Sequence, residues 1–118
     1  MNKSLRKYTN TCNKFESLQE LSDFINDNDV FAASTTSVFN HIFACIKFEF
    51  CILDEASLVT EPLAIGPLMM ANRFIMYGDY YLLNPGIKSV EADKKGMSVS
   101  LFRKLCEKHA YDVVILKK

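Results

Sequence analysis

Glycine is scarce in this chain, and its four copies are followed by proline, aspartate, isoleucine and methionine: Gly66, Gly78, Gly86 and Gly96. None opens a Gly-Lys-Ser or Gly-Lys-Thr, so the 118 residues contain no phosphate-cradling P-loop. Net charge is also missing. Fourteen basic residues balance fourteen acidic ones, which excludes a global field drawing the chain onto nucleic acid or membrane. The cysteines, Cys12, Cys45, Cys51 and Cys106, form no C-x-x-C pair and have no histidine at zinc spacing. Two of them lie inside apolar runs, where a reduced thiol behaves as a small hydrophobe, and an intracellular location is expected. No apolar run has the length of a bilayer span. The polar, mildly basic N-terminus, with Lys3, Arg6 and Lys7, lacks the apolar core of a signal peptide.

What is present is the composition of an ordinary globular chain, with one domain expected at this length. Residues 1–14 are expected to be loosely ordered, with the domain running from 15 to 118. From Phe15 the apolar spacing is helical, and Ser17 with Glu20 forms a capping box. Val30–Ser34 reads as a short buried strand ending in four hydroxyls, Ser34, Thr35, Thr36 and Ser37. Such a loop suits contact with a ligand or a nucleic-acid strand, or is simply solvated. Phe39–Ile46 reads as a helical turn leading into a second strand that starts at Phe48.

Glu61 to Ala71 is a helix candidate with Pro62 in its first turn, and Gly66-Pro67 should bend or break it. Leu63, Leu68, Met69 and Met70 are expected in the core. Arg73–Tyr77 reads as a third strand, followed by a long loop through residue 97. Ser98 then caps an amphipathic helix in which Leu101, Phe102, Leu105 and Cys106 share a face. Asp112–Leu116 is a fourth strand candidate. Strands alternating with helical connections predict an α/β fold, a mostly parallel sheet with flanking helices. A parallel sheet expects another crossover after a final strand, so the chain reads as a piece of something larger.

Two acidic sites stand directly after apolar strands: Asp54-Glu55 and Gly78-Asp79. Parallel strands would bring them to one edge of the sheet, where α/β folds bind ligands. Nucleotide hydrolysis needs one carboxylate to hold Mg²⁺ and another to orient the attacking water. A metal-dependent phosphatase or a phosphoacceptor domain would use similar acids, so the residues alone leave the reaction class open. His41 and His109 read as structural.

The blocks Phe48-Glu-Phe-Cys-Ile-Leu-Asp-Glu-Ala-Ser57, Pro62-Leu-Ala-Ile-Gly-Pro-Leu68, Gly78-Asp79 and Gly96-Met-Ser-Val-Ser-Leu-Phe-Arg-Lys-Leu105 together resemble a known family. It is the eukaryotic DNA-replication ATP-dependent helicase/nuclease family of superfamily 1, and the likeness runs collinearly from about Glu16 to Leu116. The resemblance implies an incomplete RecA-like motor domain of the P-loop NTPase type, acting in replication and repair in the nucleus. It implies ATP and Mg²⁺ as cofactors, with Asp54 holding the metal through water and Glu55 positioning the hydrolytic water. Gly78 and Asp79 would open the nucleotide-sensing motif III. Ser34, Thr35 and Thr36 would fall on a loop that contacts single-stranded DNA. None of the four cysteines is assigned to the family's iron–sulfur cluster.

The sequence departs from the family pattern at three positions, two of them polar in the family. Where D-E-A-S-Q is expected, Leu58 replaces the glutamine; where G-D-x-x-Q-L-P-P is expected, Leu82 replaces the glutamine and Asn84 a proline. Leucine donates no hydrogen bond, and loss of one preorganised donor costs about 10²–10³ in rate. With no P-loop in the chain either, the expectation is a motor-domain fragment inactive by itself. The alternative is a non-catalytic helicase lobe that binds a separately encoded, P-loop-bearing partner.

Overall fold

The computed structural model describes residues 17–39, 43 and 46–116. Phe15 and the N-terminal stretch 1–14 lie outside them. The architecture is a β-α-β unit extended by helices: α1 (Leu18–Asn26), β1 (Phe48–Leu53), α2 (Glu61–Met69), β2 (Ala71–Met76), α3 (Val90–Lys94) and α4 (Leu101–Lys108). β1 and β2 pair in parallel, Phe48 opposite Ala71 and Leu53 opposite Met76. The α/β reading and the parallel pairing hold, in a sheet of two strands among the described residues.

Ser17 caps α1 as its sequence predicts, its Oγ accepting the Glu20 N–H at 3.2 Å. The strand expected at Val30–Ser34 does not form. Phe31 instead joins an edge-to-face aromatic chain, 5.8 Å from Phe24 and 5.7 Å from Phe48, which ties α1 to the start of β1. The hydroxyls that follow bond to one another: Ser34 Oγ lies 2.7 Å from Ser37 Oγ and 3.1 Å from Thr36 Oγ1. Such local bonds compete with a sheet ladder and close a turn. That turn leads into a short 3-10 segment, Ser37–Phe39; most of the helical turn expected over Phe39–Ile46 lies outside the described residues.

α2 runs unbroken through Gly66-Pro67, against expectation. Proline's fixed φ is helical, and its cost is the bond to the carbonyl four residues back together with crowding of its ring against that carbonyl. With two residues left in the helix, little remains to be disrupted, and the Pro67 ring is buried. Ala64 is fully buried on the same helix, whereas Met69, expected in the core, is 72% exposed. Lys47 Nζ donates to the Met69 carbonyl at 2.9 Å, closing the C-terminal end with a cation.

The core joins Leu53, Ala56 and Ala64, with Val59, Met76, Leu101 and Phe102 packed around them. It lies at the C-terminal ends of the strands, under the acidic sites. The loop expected over 80–97 contains α3, whose N-cap Ser89 accepts the Ala92 N–H at 3.3 Å. The last helix is capped by Ser100, not Ser98: its buried Oγ accepts the Arg103 N–H at 3.2 Å. Lys104 bonds Glu61 at 2.6 Å and holds α4 against the first turn of α2.

Asp112–Leu116 is not a strand of the sheet. A 3-10 turn takes Ala110–Asp112, and Val114, Ile115 and Leu116 beyond it are exposed. β-branched residues favour strands by packing on neighbours, and no neighbouring strand is present here among the described residues. Phe50, Ile52, Phe74 and Ile75 of the two strands are also exposed. Among the described residues no helix is long and apolar enough to cross a membrane.

Candidate functional site

Parallel pairing carries both acidic sites to the same end of the sheet. The strand ends stay stitched one step past the ladder: Tyr77 N–H donates to the Leu53 carbonyl at 2.9 Å, and Ala56 N–H to the Tyr77 carbonyl at 2.7 Å. Between those bonds Asp54 and Glu55 are pushed out into solvent. Glu55 adopts φ 50°, ψ 38°, the left-handed region that a side chain visits at a cost. Its N–H donates to Asp54 Oδ1 at 2.9 Å, so one aspartate oxygen helps to hold the turn. A 3-10 turn, Ala56–Leu58, follows at once and buries Ala56 and Ser57.

Gly78 faces that buried turn across the strand ends. A Cβ added there would lie 2.9 Å from Ser57 N, 3.3 Å from Ala56 N and 3.2 Å from the Phe102 ring. Only glycine lets the two backbones approach so closely. Asp79 comes next, and its Oδ1 accepts the Tyr81 N–H at 2.9 Å, folding the chain over. The expected set Asp54, Glu55, Gly78 and Asp79 is therefore gathered at one edge. Its carboxylates differ in duty: Asp79 closes its own turn, while Glu55 lends only its backbone to one.

Among the described residues no cluster of three or more potential ligands is arranged for a metal. Two exposed carboxylates fit a different mode. Magnesium keeps most of its waters and is bound through one or two carboxylates together with the phosphates of a nucleotide. Asp54 and Glu55 would supply that share and no more. Leu58 and Leu82, at the two glutamine positions, are exposed and offer no polar atom. Ser34, Thr35 and Thr36 are not brought into this carboxylate set; they form the self-bonded turn ahead of β1.

Among the described residues the thiols are Cys51 and Cys106. Burial pushes Cys51 upward, and burial with the nearby Glu107 carboxylate pushes Cys106 upward, which favours the protonated thiol over the nucleophilic thiolate. Three contributors escaped the sequence reading: Ser57 and Phe102, which press on Gly78, and the tyrosine pair Tyr80-Tyr81 beyond Asp79. Small residues after an acidic pair were visible as a pattern. Their burial under the facing glycine was not.

The family of the chain comes from its likeness to known proteins. The model of the AAA domain family matches residues 1–90 of the 118. The chain is similar to the DNA replication ATP-dependent helicase/nuclease of Schizosaccharomyces pombe, 41% identical over 103 residues, covering 87% of this chain and 7% of that protein. It is 43% identical over 90 residues to the Xenopus laevis protein of the same description, covering 76% of this chain and 8% of the relative. With the Saccharomyces cerevisiae protein the identity is 37% over 113 residues, 94% of this chain and 7% of the other. The chain thus spans less than a tenth of these relatives' length. The resemblance read from the acidic and glycine motifs is borne out. This chain belongs to the AAA domain family, as a segment homologous to the DNA replication ATP-dependent helicase/nucleases.

Proposed function

We propose that this chain is the part of an ATP-dependent DNA helicase/nuclease motor domain that carries the Walker B acids and motif III, acting on single-stranded DNA in the nucleus in replication and repair. The observation that carries the reading is the parallel register, which sets Asp54-Glu55 beside Gly78-Asp79 at one sheet edge. Bound Mg²⁺ would neutralise charge developing on the transferred phosphate. Asp54 would hold it through water, and Glu55, turned outward by its left-handed backbone, would orient the attacking water. The Gly78 contact ties the motif III turn to the turn that bears these acids, so a shift at one is felt at the other. Ser34, Thr35 and Thr36 are proposed to touch the DNA backbone through their hydroxyls. In a complete RecA-like sheet further strands and a P-loop come from outside this chain.

Two measurements test this. The purified chain should show no DNA-stimulated ATP turnover. A chimera in which it replaces the matched segment of the S. pombe relative should turn over about 10²–10³-fold more slowly than that relative. Leu82→Gln should recover part of the loss and Glu55→Gln should abolish the rest. Turnover indifferent to Glu55→Gln overturns the reading.

A second reading is favoured by the exposed apolar residues of the sheet, Phe50, Ile52, Phe74 and Ile75. Parallel sheets are ordinarily covered on both faces. A non-catalytic lobe that docks a P-loop-bearing partner chain would cover them. Co-purification of such a chain, together with a chimera inert whatever residue stands at 82, would favour it.

A further inference from the structure

Directly after Asp79 the chain presents two aromatic rings that nucleotide chemistry does not account for. Tyr81 is 85% exposed, yet it is held in place. Its N–H is bonded to Asp79 Oδ1 at 2.9 Å, and its ring lies against Tyr80 with centroids 4.4 Å apart and planes tilted by 31°. The Tyr80 hydroxyl donates to the Tyr81 hydroxyl at 3.1 Å. Tyr80 in turn stands edge-on to Phe102 at 6.2 Å, and the Arg103 guanidinium lies 5.9 Å from the Tyr80 ring centroid. Arg103 is steadied by Glu107 at 2.8 Å. An exposed phenol ordinarily samples several rotamers; this one is fixed at its backbone, its ring and its hydroxyl.

We propose that Tyr81, backed by Tyr80 and flanked by Arg103, is a stacking platform for a base of single-stranded nucleic acid. A nucleobase needs only a flat, preorganised π-face, and every base has one to offer in return. A compact apolar ligand would need a concave, water-excluding pocket instead, and an 85%-exposed ring is not part of one. The proposal rests on the DNA-motor reading and sharpens it. The turn closed by Asp79 would pass directly from the nucleotide edge to a gripped base.

The test is binding of a fluorescein-labelled oligothymidylate to the full chain, followed by anisotropy. The chain contains no tryptophan, so quenching of its tyrosine emission by unlabelled strand, compared between the parent and Tyr81→Leu, isolates stacking on Tyr81 from the other four tyrosines. Tyr81→Leu and Tyr81→Ala should weaken binding about 5- to 150-fold, while Tyr81→Phe, which keeps the ring, should stay close to the parent. A strand with abasic sites should bind the parent as weakly as an intact strand binds Tyr81→Leu. Absence of binding, equal binding by Tyr81→Leu, or equal affinity for the abasic strand overturns the proposal; the last two would assign the exposed ring to contact with protein. These outcomes are separate from the nucleotide reading, since Glu55-dependent turnover in the chimera can persist without stacking, and stacking can persist without turnover.

Discussion

Replacing Gly78 by alanine should destabilise the fold even though the backbone there is not left-handed. The added Cβ would sit 2.9 Å from Ser57 N, closer than a Cβ approaches backbone nitrogen, and 3.3 Å from Ala56 N, a tight contact. The Phe102 ring, at 3.2 Å, can swing aside. The two nitrogens cannot, because Ala56 N–H is already committed to the Tyr77 carbonyl at 2.7 Å. Relief therefore requires the strand ends to part, and overpacking of this kind costs about 1–3 kcal/mol. Against it stands the reduced freedom of the unfolded chain, about 0.4–1 kcal/mol in favour of alanine. A net loss of about 0–2.6 kcal/mol remains, centred near about 1.3 kcal/mol. Unfolding entropy near 2.1 cal/mol/K per residue gives about 0.25 kcal/mol/K for a chain of this length, so melting should fall by about 5 °C and by no more than about 10 °C.

Gly86 provides the internal control. A Cβ there meets nothing within 4 Å, so Gly86→Ala should leave melting unchanged or raise it by a few degrees. Thermal melts followed by far-ultraviolet circular dichroism distinguish the two. If Gly78→Ala melts at or above Gly86→Ala, the close approach between the strand ends is refuted. The inferred coupling between the acidic turn and the motif III turn goes with it.

Two further outcomes follow from the same edge of the sheet. At position 55 the usual ranking of alanine over glycine should invert: the left-handed region costs a side chain about 1–2 kcal/mol, more than glycine's entropic penalty, so Glu55→Gly should melt above Glu55→Ala. Equal or reversed melting temperatures would show the turn to be relaxed. The Tyr80 phenol, raised from 10.0 to about 12 chiefly by its bond to Tyr81, stays protonated in the folded chain where an unfolded one would ionise. The folded state binds the extra proton, so this contribution is complete below pH 10 and is lost as pH rises through about 12. Absorbance titration should show one of the five tyrosines ionising late, and Tyr81→Phe should return it toward 10; an unchanged titration would refute the hydroxyl bond.

The sequence made β1, α2 and β2 readable because each is a dense apolar run with clear punctuation, Asp54-Glu55 after one and Gly78-Asp79 after another. Where it misled, local signal and tertiary context disagreed. Val30–Ser34 and Asp112–Leu116 have the composition of strands, but a strand exists only against a neighbour. Phe31 found an aromatic cluster instead, and Val114 to Leu116 have no partner among the described residues. Ser98 and Ser100 are equally good caps on paper; Ser100 won because its hydroxyl could be buried while still accepting a backbone N–H. α3 was hidden by its brevity, five residues whose hold comes from Ser89 and the Lys95–Glu91 pair rather than from an apolar face.

The placement of the candidate site at one sheet edge was legible in the sequence, and its local geometry was not. Alternation of strand and helix was enough to place two acidic sites at one edge, since parallel strands end together. Nothing in residue type announces that Glu55 stands at positive φ or that Gly78 touches the Ser57 backbone. Both are costs, one in dihedral strain and one in a position that admits no side chain. They lie on either side of the same pair of carboxylates. Strained backbone is a feature of sites that must present particular atoms, and here Asp54 and Glu55 turn out of the sheet while the Gly78-Asp79 turn packs behind them. Replacing Leu58 and Leu82 by glutamine would add donors to a frame that already has this shape. Of the departures at Leu58, Leu82 and Asn84, the two leucines are exposed and carry no polar side-chain atom, so the frame around the carboxylates stands without the donors the pattern would place there.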